Sequence, residues 1–313
     1  MSFVRKLINK ITNKKQKDAI KDYLMYKSLK KKSINREKIL YEMEVFKGSG
    51  LNSTPRKTPI ILSMTSFPGR IYDVHFAVFS LLKQTVKPDK IILWLAEEEF
   101  PNKSEDLPKK LLELQKFGLT INYCESIRPF KKIIPTYRQY GENSIIITAD
   151  DDNYYAEDWL EKLYNTHLEY PEDIICHRVR KIVSNKGKIK SYTSWPLDKK
   201  GGNVSFLNFI TSTGGVLYPP NSLHENTCDI ELFKNLTPNN DDIWVYFMAI
   251  LNNKMIRVPE NPLYDLIPTN AERALELNDD EMLWTSNRCF GENDKQFLNV
   301  LEHYSELKPH FML

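Results

Sequence analysis

The chain has 313 residues, 41% of them hydrophobic and 12% aromatic, which suffices for a substantial core and excludes a disordered protein. Its net charge of +3 conceals an asymmetry, because residues 1–50 hold 14 Lys/Arg against 5 Asp/Glu and the remainder is net acidic. No apolar run approaches the roughly 20 residues that span a bilayer. Arg5-Lys6 splits the short apolar pairs Phe3-Val4 and Leu7-Ile8, so no secretory core is expected. Cys124, Cys176, Cys228 and Cys289 are far apart, with no Cys-x-x-Cys pair, and read as reduced residues of a cytoplasmic protein.

Residues 1–48 read as a basic helical arm. Phe3, Val4, Leu7, Ile8 and Ile11 recur at helical spacing among Arg5, Lys6, Lys10, Lys14 and Lys15. Such a face suits an anionic membrane surface on the inner side of the cell membrane, or a solvated arm that packs on the body or on a second subunit, a homo-oligomer included. Nucleic acid is disfavoured, since the body is acidic and no binding motif is present. Gly48 to Pro55 reads as a linker, which gives an arm over 1–55 and a body over 56–313.

The body opens with a buried strand, Pro59 to Met64, and a Pro-Gly turn, Thr65-Ser-Phe-Pro-Gly-Arg70. Asp73 is placed to cap a helix with apolar Val74, Ala77, Val78, Leu81 and Leu82. Lys90 to Leu95 is a second strand. Leu107 to Phe117 reads as a helix stopped by Gly118, and Leu119 to Cys124 as a third strand. The Lys131-Lys132 pair precedes a short helix ending at Tyr140. Ile145 to Thr148 is a fourth strand, followed at once by Asp150, Asp151 and Asp152. This alternation predicts an α/β fold, a mostly parallel sheet flanked by helices.

Three adjacent carboxylates repel one another unless a cation lies among them. Mg²⁺ is commonly shared between one or two carboxylates and substrate phosphates, and the carboxyl end of a strand is where open α/β sheets bind ligands. An acidic turn or helix cap is the plain alternative. Thr65, Ser66, Phe67 and Arg70 follow a strand and suit a nucleotide, or an ordinary turn. Lys131 and Lys132 suit a diphosphate, or solvent. No Gly-x-Gly-x-x-Gly or P-loop sequence is present, which disfavours dinucleotide oxidoreductases and P-loop enzymes.

Three pieces together resemble a nucleotide-diphospho-sugar glycosyltransferase of the GT-A fold, close to glycosyltransferase family 2. Ile60 to Arg70 resembles that family's first strand and nucleotide turn. Ser80-Leu-Leu-Lys-Gln-Thr85 with Lys90 to Trp94 resembles its Ser-Leu-x-x-Gln helix and second strand. Ala149 to Asp152 resembles its Asp-x-Asp motif. The likeness covers roughly residues 58–170 and extends to bacterial transferases of capsule and lipopolysaccharide clusters. One departure is Glu97-Glu-Glu99 where the family has Asp-Asp-Gly-Ser, leaving Glu97 or Glu98 to replace the acid that meets uracil or ribose.

The resemblance implies a Rossmann-like GT-A domain with a nucleotide-sugar half over 56–170 and an acceptor half over 171–313. It implies Mn²⁺ or Mg²⁺ held by Asp152 and Asp150, with Asp151 beside them. The donor would be a nucleotide-diphospho-sugar, UDP-sugar favoured, contacted by Thr65, Ser66, Phe67, Arg70, Lys131 and Lys132. The acceptor would be a glycan or lipid-linked glycan. In the second half, Ile174 to Val179 and Ile189 to Tyr192 read as strands. Gly214-Gly215 permits close backbone approach to an acceptor, or a tight turn. Asn240 or Asp241 caps a helix that carries Asp241, Asp242 and Trp244. Inverting enzymes of this fold place their base at such a helix start, which points to Asp242, with Asp241 as cap or acceptor ligand, or to the reverse. Trp244 joins the Gly pair as an acceptor contact. Trp284, Asn287, Arg288 and Asn293-Asp294 are candidates to close over the site. His177, His224 and His303 are isolated and read as structural or surface histidines before metal ligands, although the resemblance allows a C-terminal histidine to ligate metal. The rival readings are a sugar-nucleotide pyrophosphorylase, whose Gly-rich N-terminal loop is missing, and a non-catalytic glycan-binding protein of the same fold.

Overall fold

The computed structural model describes residues 27–272 and 291–311. An eight-stranded sheet runs through the body in the order β3-β2-β1-β4-β11-β5-β12-β9. Its strands are β1 (Ile60–Thr65), β2 (Lys90–Ala96), β3 (Leu119–Cys124), β4 (Ile145–Thr148), β5 (Ile174–Cys176), β9 (Asn203–Ser205), β11 (Val216–Tyr218) and β12 (Ile256–Val258). Strands β1 to β5 and β12 share one direction, while β11 and β9 run against it. This is the mixed, mostly parallel sheet expected. The chain reverses its build-out between β1 and β4, and the crevice at the carboxyl ends there is the usual ligand position.

β-Branched residues on the central strands point alternately to two faces. On β4, Ile145 and Ile147 enter one core with α2 (Val74–Leu82) and α5 (Trp159–Glu169). Ile146 enters the other, with α4 (Ile134–Tyr140), α6 (Ile230–Leu236), α7 (Asp241–Leu251) and α8 (Glu292–His303). The registers Ser63↔Thr148 and Val216↔Thr148 bring the ends of β1 and β4 beside the start of β11. Residues 63–66, 148–152 and 212–216 therefore meet at one edge.

Several elements differ from their sequence reading. The helix expected over Leu107–Phe117 is α3 (Lys109–Glu113) followed by a 3₁₀ turn, ended by Gly118 at φ +117°. The single strand expected over Ile174–Val179 breaks into β5 and β6 (Val179–Lys181), and β6 pairs with β10 (Asn208–Ile210) outside the main sheet. Ile189–Tyr192 is not a strand. Only Lys188–Ile189 pairs, as β8, with β7 (Ser184–Asn185), and a 3₁₀ turn starts at Tyr192. Asp73 precedes α2 without capping it, because its carboxylate binds Arg36 and Asn270.

The expected linker is seated on the body instead of bridging to it. The Gly50 N–H donates to the Phe117 carbonyl, and a Cβ on Gly50 would lie 2.2 Å from Leu82. Before it, α1 (Arg36–Val45) buries Ile39 in the same core, and Phe46 sets its ring edge-on to Phe79 and Phe117. The amphipathic face anticipated at Phe3, Val4, Leu7, Ile8 and Ile11 lies outside the described residues, as do Trp284, Asn287 and Arg288.

Candidate functional site

Lys132 is the centre of the carboxyl-end crevice. It closes a 3₁₀ turn before α4 and is buried. Its carbonyl accepts a hydrogen bond from Ser63 Oγ on β1 (2.6 Å), while Trp94 Nε1 on β2 donates to Thr136 Oγ1 (2.7 Å) one turn further on. With its backbone so fixed, Lys132 Nζ reaches Asp150 (2.8 Å), Asp241 (2.9 Å) and Ser212 Oγ (2.6 Å). One ammonium group thus ties the triplet after β4 to the acid pair that starts α7.

The triplet divides its duties. Asp151 is buried, takes Ser66 Oγ (2.6 Å) and Arg70 Nη1 (2.9 Å), and so fixes the turn after β1. Asp152 faces outward and shares Arg70 at 2.8 Å, with its side chain 44% exposed. Asp150 turns to Lys132, and its N–H donates to the Tyr155 hydroxyl (2.7 Å). Burial opposes the charge on Asp150, but Lys132 outweighs it and holds the carboxyl below its ordinary range. Burial, joined by the charges on Asp151 and Asp150 and opposed by Arg70, pushes Asp152 up to about 6.

At the start of α7, Asn240 caps the helix by accepting from the Ile243 N–H (3.0 Å). Asp241 is buried against Lys132, and burial raises its pKa in spite of that partner. Asp242 accepts the Ser212 N–H (3.0 Å) and is only half-buried. Burial and the adjacent Asp241 push Asp242 up to about 7. Asp242 is therefore the accessible member of the pair, with the affinity a proton acceptor needs near neutral pH.

Among the described residues, the crevice holds five carboxylates and two cations in ion-pair contact with them, Arg70 and Lys132. Among the described residues, no group of three His, Cys, Asp or Glu side chains forms a ready metal cage. A hard divalent ion shared with substrate phosphates needs only one or two carboxylates. Asp152, partly exposed and sharing Arg70 with Asp151, with Asp150 beside it, has the oxygen chemistry for that role.

Other expected contacts are committed elsewhere. Lys131 is buried and paired with Glu99 (2.7 Å). Glu99, not Glu97 or Glu98, is thus the acid drawn inward after β2, and the other two are exposed. Thr65 Oγ1 donates to the Trp94 carbonyl (2.8 Å), and the Phe67 carbonyl accepts the Arg70 and Ile71 N–H groups to form the turn.

Trp244 is a correction. It is fully buried, its indole donates to the Thr227 carbonyl (2.9 Å), and it touches no solvent through which an acceptor could approach. The Gly214-Gly215 backbone approaches protein instead of ligand. Added Cβ atoms would lie 2.4 Å from Arg178 and 2.2 Å from Trp159, and Gly215 sits at φ +94°. Asp294 binds Ser191 and the Tyr192 N–H, and Asn293 binds Asn240, so both fasten α8 to its neighbours. His177 is buried between the Trp159 carbonyl and the Leu263 N–H. Ser63, Ser212, Tyr155 and Glu99 are not among the expected site residues, although Ser63 lies within the Ile60–Arg70 stretch, Glu99 ends the Glu97–Glu99 run, Tyr155 follows the triplet by three residues and Ser212 precedes the Gly pair by two.

Residues 139–234 match the model of Glycosyl transferase family 2. The matched stretch contains the triplet, α5 and the Gly pair, and it bears out the resemblance read from the sequence. No curated protein matches the chain. Among solved structures, S. aureus TarS 1-349 is similar at 15% identity over 79% of this chain and 73% of that one, with a TM-score of 0.45. Mannosyltransferase PcManGT from Pyrobaculum calidifontis, in complex with GDP-Man and Mn²⁺, is 10% identical over 85% and 72%, with a TM-score of 0.46. The 4-diphosphocytidyl-2C-methyl-D-erythritol synthase from Anaerococcus prevotii is 11% identical over 72% and 99%, with a TM-score of 0.43. Likenesses this distant carry nothing about chemistry.

Proposed function

We propose that the chain is a metal-dependent glycosyltransferase that moves a sugar from a nucleotide-diphosphate donor to a glycan acceptor, with inversion. The observation that carries this reading is the Lys132 bridge, which ties the carboxylate triplet through Asp150 to the acid pair at the start of α7 through Asp241, next to Asp242. The matched family segment supports the same chemistry.

Breaking a glycosyl–phosphate bond leaves charge on the departing diphosphate. Asp152, with Asp150, would hold Mg²⁺ or Mn²⁺, which supplies Lewis-acid stabilisation of that charge when bound. Asp151 and Ser66 keep the turn after β1 in place, so that Arg70 stands at the diphosphate side of the crevice. Asp242 takes the proton from the acceptor hydroxyl as that oxygen attacks the anomeric carbon. Asp241, held by Lys132, fixes the start of α7 and keeps a second negative charge beside Asp242. A base and a leaving group on opposite sides of the sugar give the inverted product. UDP-sugars are the favoured donors, surface polysaccharide synthesis is the setting, and residues before 27 are the candidate for membrane-surface attachment.

The test is a panel of nucleotide sugars, including UDP-GlcNAc and GDP-Man, scored for nucleotide release with and without Mn²⁺. Release of UDP, GDP or CMP that needs metal and is lost in Asp150→Ala and Asp242→Ala supports the reading. Release of inorganic pyrophosphate from a nucleoside triphosphate and a sugar phosphate would favour the pyrophosphorylase instead. Full activity in both variants would remove the site assignment.

A further inference from the structure

The cations expected to grip a diphosphate already have carboxylate partners. Arg70 lies against Asp151 and Asp152, Lys131 against Glu99, and Lys132 against Asp150 and Asp241. Two arginines of the second half are in the opposite condition. Arg178 and Arg180 stand where the chain leaves β5 and enters β6, at the same carboxyl-end edge as the triplet. Among the described residues neither forms an ion pair. Arg178 Nη1 donates to Thr211 Oγ1 (3.1 Å) and Arg180 Nη1 to the Trp195 carbonyl (2.7 Å). The Nε of each is buried with no hydrogen-bond partner. Arg180 also lies over the Tyr192 ring, 5.2 Å from its centre.

Solvated surface arginines would not look like this. Buried polar groups are nearly always paired, and a buried charge with no ion-pair partner is costly, the field of Asp242 on Arg178 being too weak to offset burial and Arg180. The two guanidinium groups also work against each other: burial and the charge on Arg180 pull the Arg178 pKa down. Both side chains remain partly accessible, so a ligand from solvent can reach them. Their location is specific as well. Thr211, which takes Arg178, immediately precedes Ser212, whose N–H holds Asp242.

We propose that Arg178 and Arg180 form an anion subsite that takes a phosphate group of the acceptor, next to the hydroxyl that is glycosylated. Guanidinium groups match tetrahedral oxyanions through forked, charge-assisted hydrogen bonds. Two adjacent cations suit a phosphate better than the single charge and planar shape of a carboxylate. Only the word acceptor rests on the transferase reading; the anion subsite itself does not.

The experiment has a binding arm and a transfer arm, both on the full chain. Calorimetry compares glycerol 3-phosphate with glycerol and with glycerate. The phosphate probe should bind best, and at least tenfold more weakly to Arg178→Gln and Arg180→Gln. Arg180→Lys, which keeps the charge but not the fork, covers the case of a Gln variant that fails to fold, and should also weaken binding. No phosphate binding by the wild type, or binding unchanged in all three variants, overturns the proposal. In the transfer arm, a phosphate-bearing acceptor should show a lower KM than its neutral counterpart, a preference the variants lose. A rise in donor KM alone would assign the arginines to the donor and overturn the proposal. Arginine-dependent phosphate binding without turnover of any nucleotide sugar would support the anion subsite and sink the transferase reading.

Discussion

At the scale of single residues, the proposed roles of Asp242 as base and of Lys132 as the tie between the two acid groups lead to the most direct tests. A base must be ionised to act, so kcat/KM should rise with pH along a limb with its midpoint near 7, set by burial and by Asp241. Asp242→Asn should lower kcat by roughly 10²–10⁴-fold, the usual worth of general base catalysis. The same shift has a stability consequence of unusual sign. Against an ordinary carboxyl value of 3.8, the folded protein binds the extra proton up to about pH 7, so stability falls as pH rises through that window. Asp242→Asn should therefore be more stable than the wild type above pH 7, by about 1–2 kcal/mol for a part-exposed group, and should lose that advantage near pH 4. Urea melts at the two pH values measure it. Lys132→Met strands Asp150 and Asp241 without their partner, and a cost of about 3–5 kcal/mol is expected in the same melts. It should also move the pH–rate midpoint above that of the wild type, because Lys132 holds the Asp242 value down.

At the scale of elements, α7 shows how a helix can be legible while one of its residues is misread. Asn240 and the two acids announced the helix start, and the apolar run to Leu251 announced its burial. Trp244 looked available because it follows the acids by two residues, yet all round the helix beyond Asp242 the side chains are buried. Periodicity separates a buried face from a wet one only when polar residues mark the wet side. Trp244→Ala should cost about 3–5 kcal/mol and leave the acceptor KM of the surviving folded fraction unchanged. The Gly pair was legible as close approach, but not for what approaches. Gly215→Ala meets Trp159 and an unfavourable positive φ, so a loss of about 1–3 kcal/mol is expected. The strands of the first half were readable because β-branched runs between turn signals have few alternatives. Those after Ile174 were not, since three-residue and two-residue strands are too short for alternation to register.

At the scale of the whole molecule, the triplet was visible in sequence as a charge problem, and the fold supplies its surroundings. What sequence could not supply was which cation meets which acid. Lys132 and Asp241 are far apart in the chain, and only the packing of α4 and α7 on one face of the sheet brings them together. The arm divides differently from its expected boundary, because Ile39, Phe46 and Gly50 belong to the body. Removing residues 1–26 should weaken binding to anionic vesicles, measured by vesicle co-sedimentation. Removing 1–48 takes away buried Ile39 and part-buried Phe46, worth up to about 1.5–3 kcal/mol each, and should lower the melting temperature clearly.

The central claim is that Asp242 is the base of a glycosyl transfer whose donor is held at the triplet. It is tested most directly by following a nucleotide sugar, an acceptor and Mn²⁺ by proton NMR, with wild-type protein and with Asp242→Asn. The account predicts a nucleoside diphosphate and a product of inverted anomeric configuration for the wild type, and almost none for the variant. A product of retained configuration, or equal turnover by the two proteins, would contradict it.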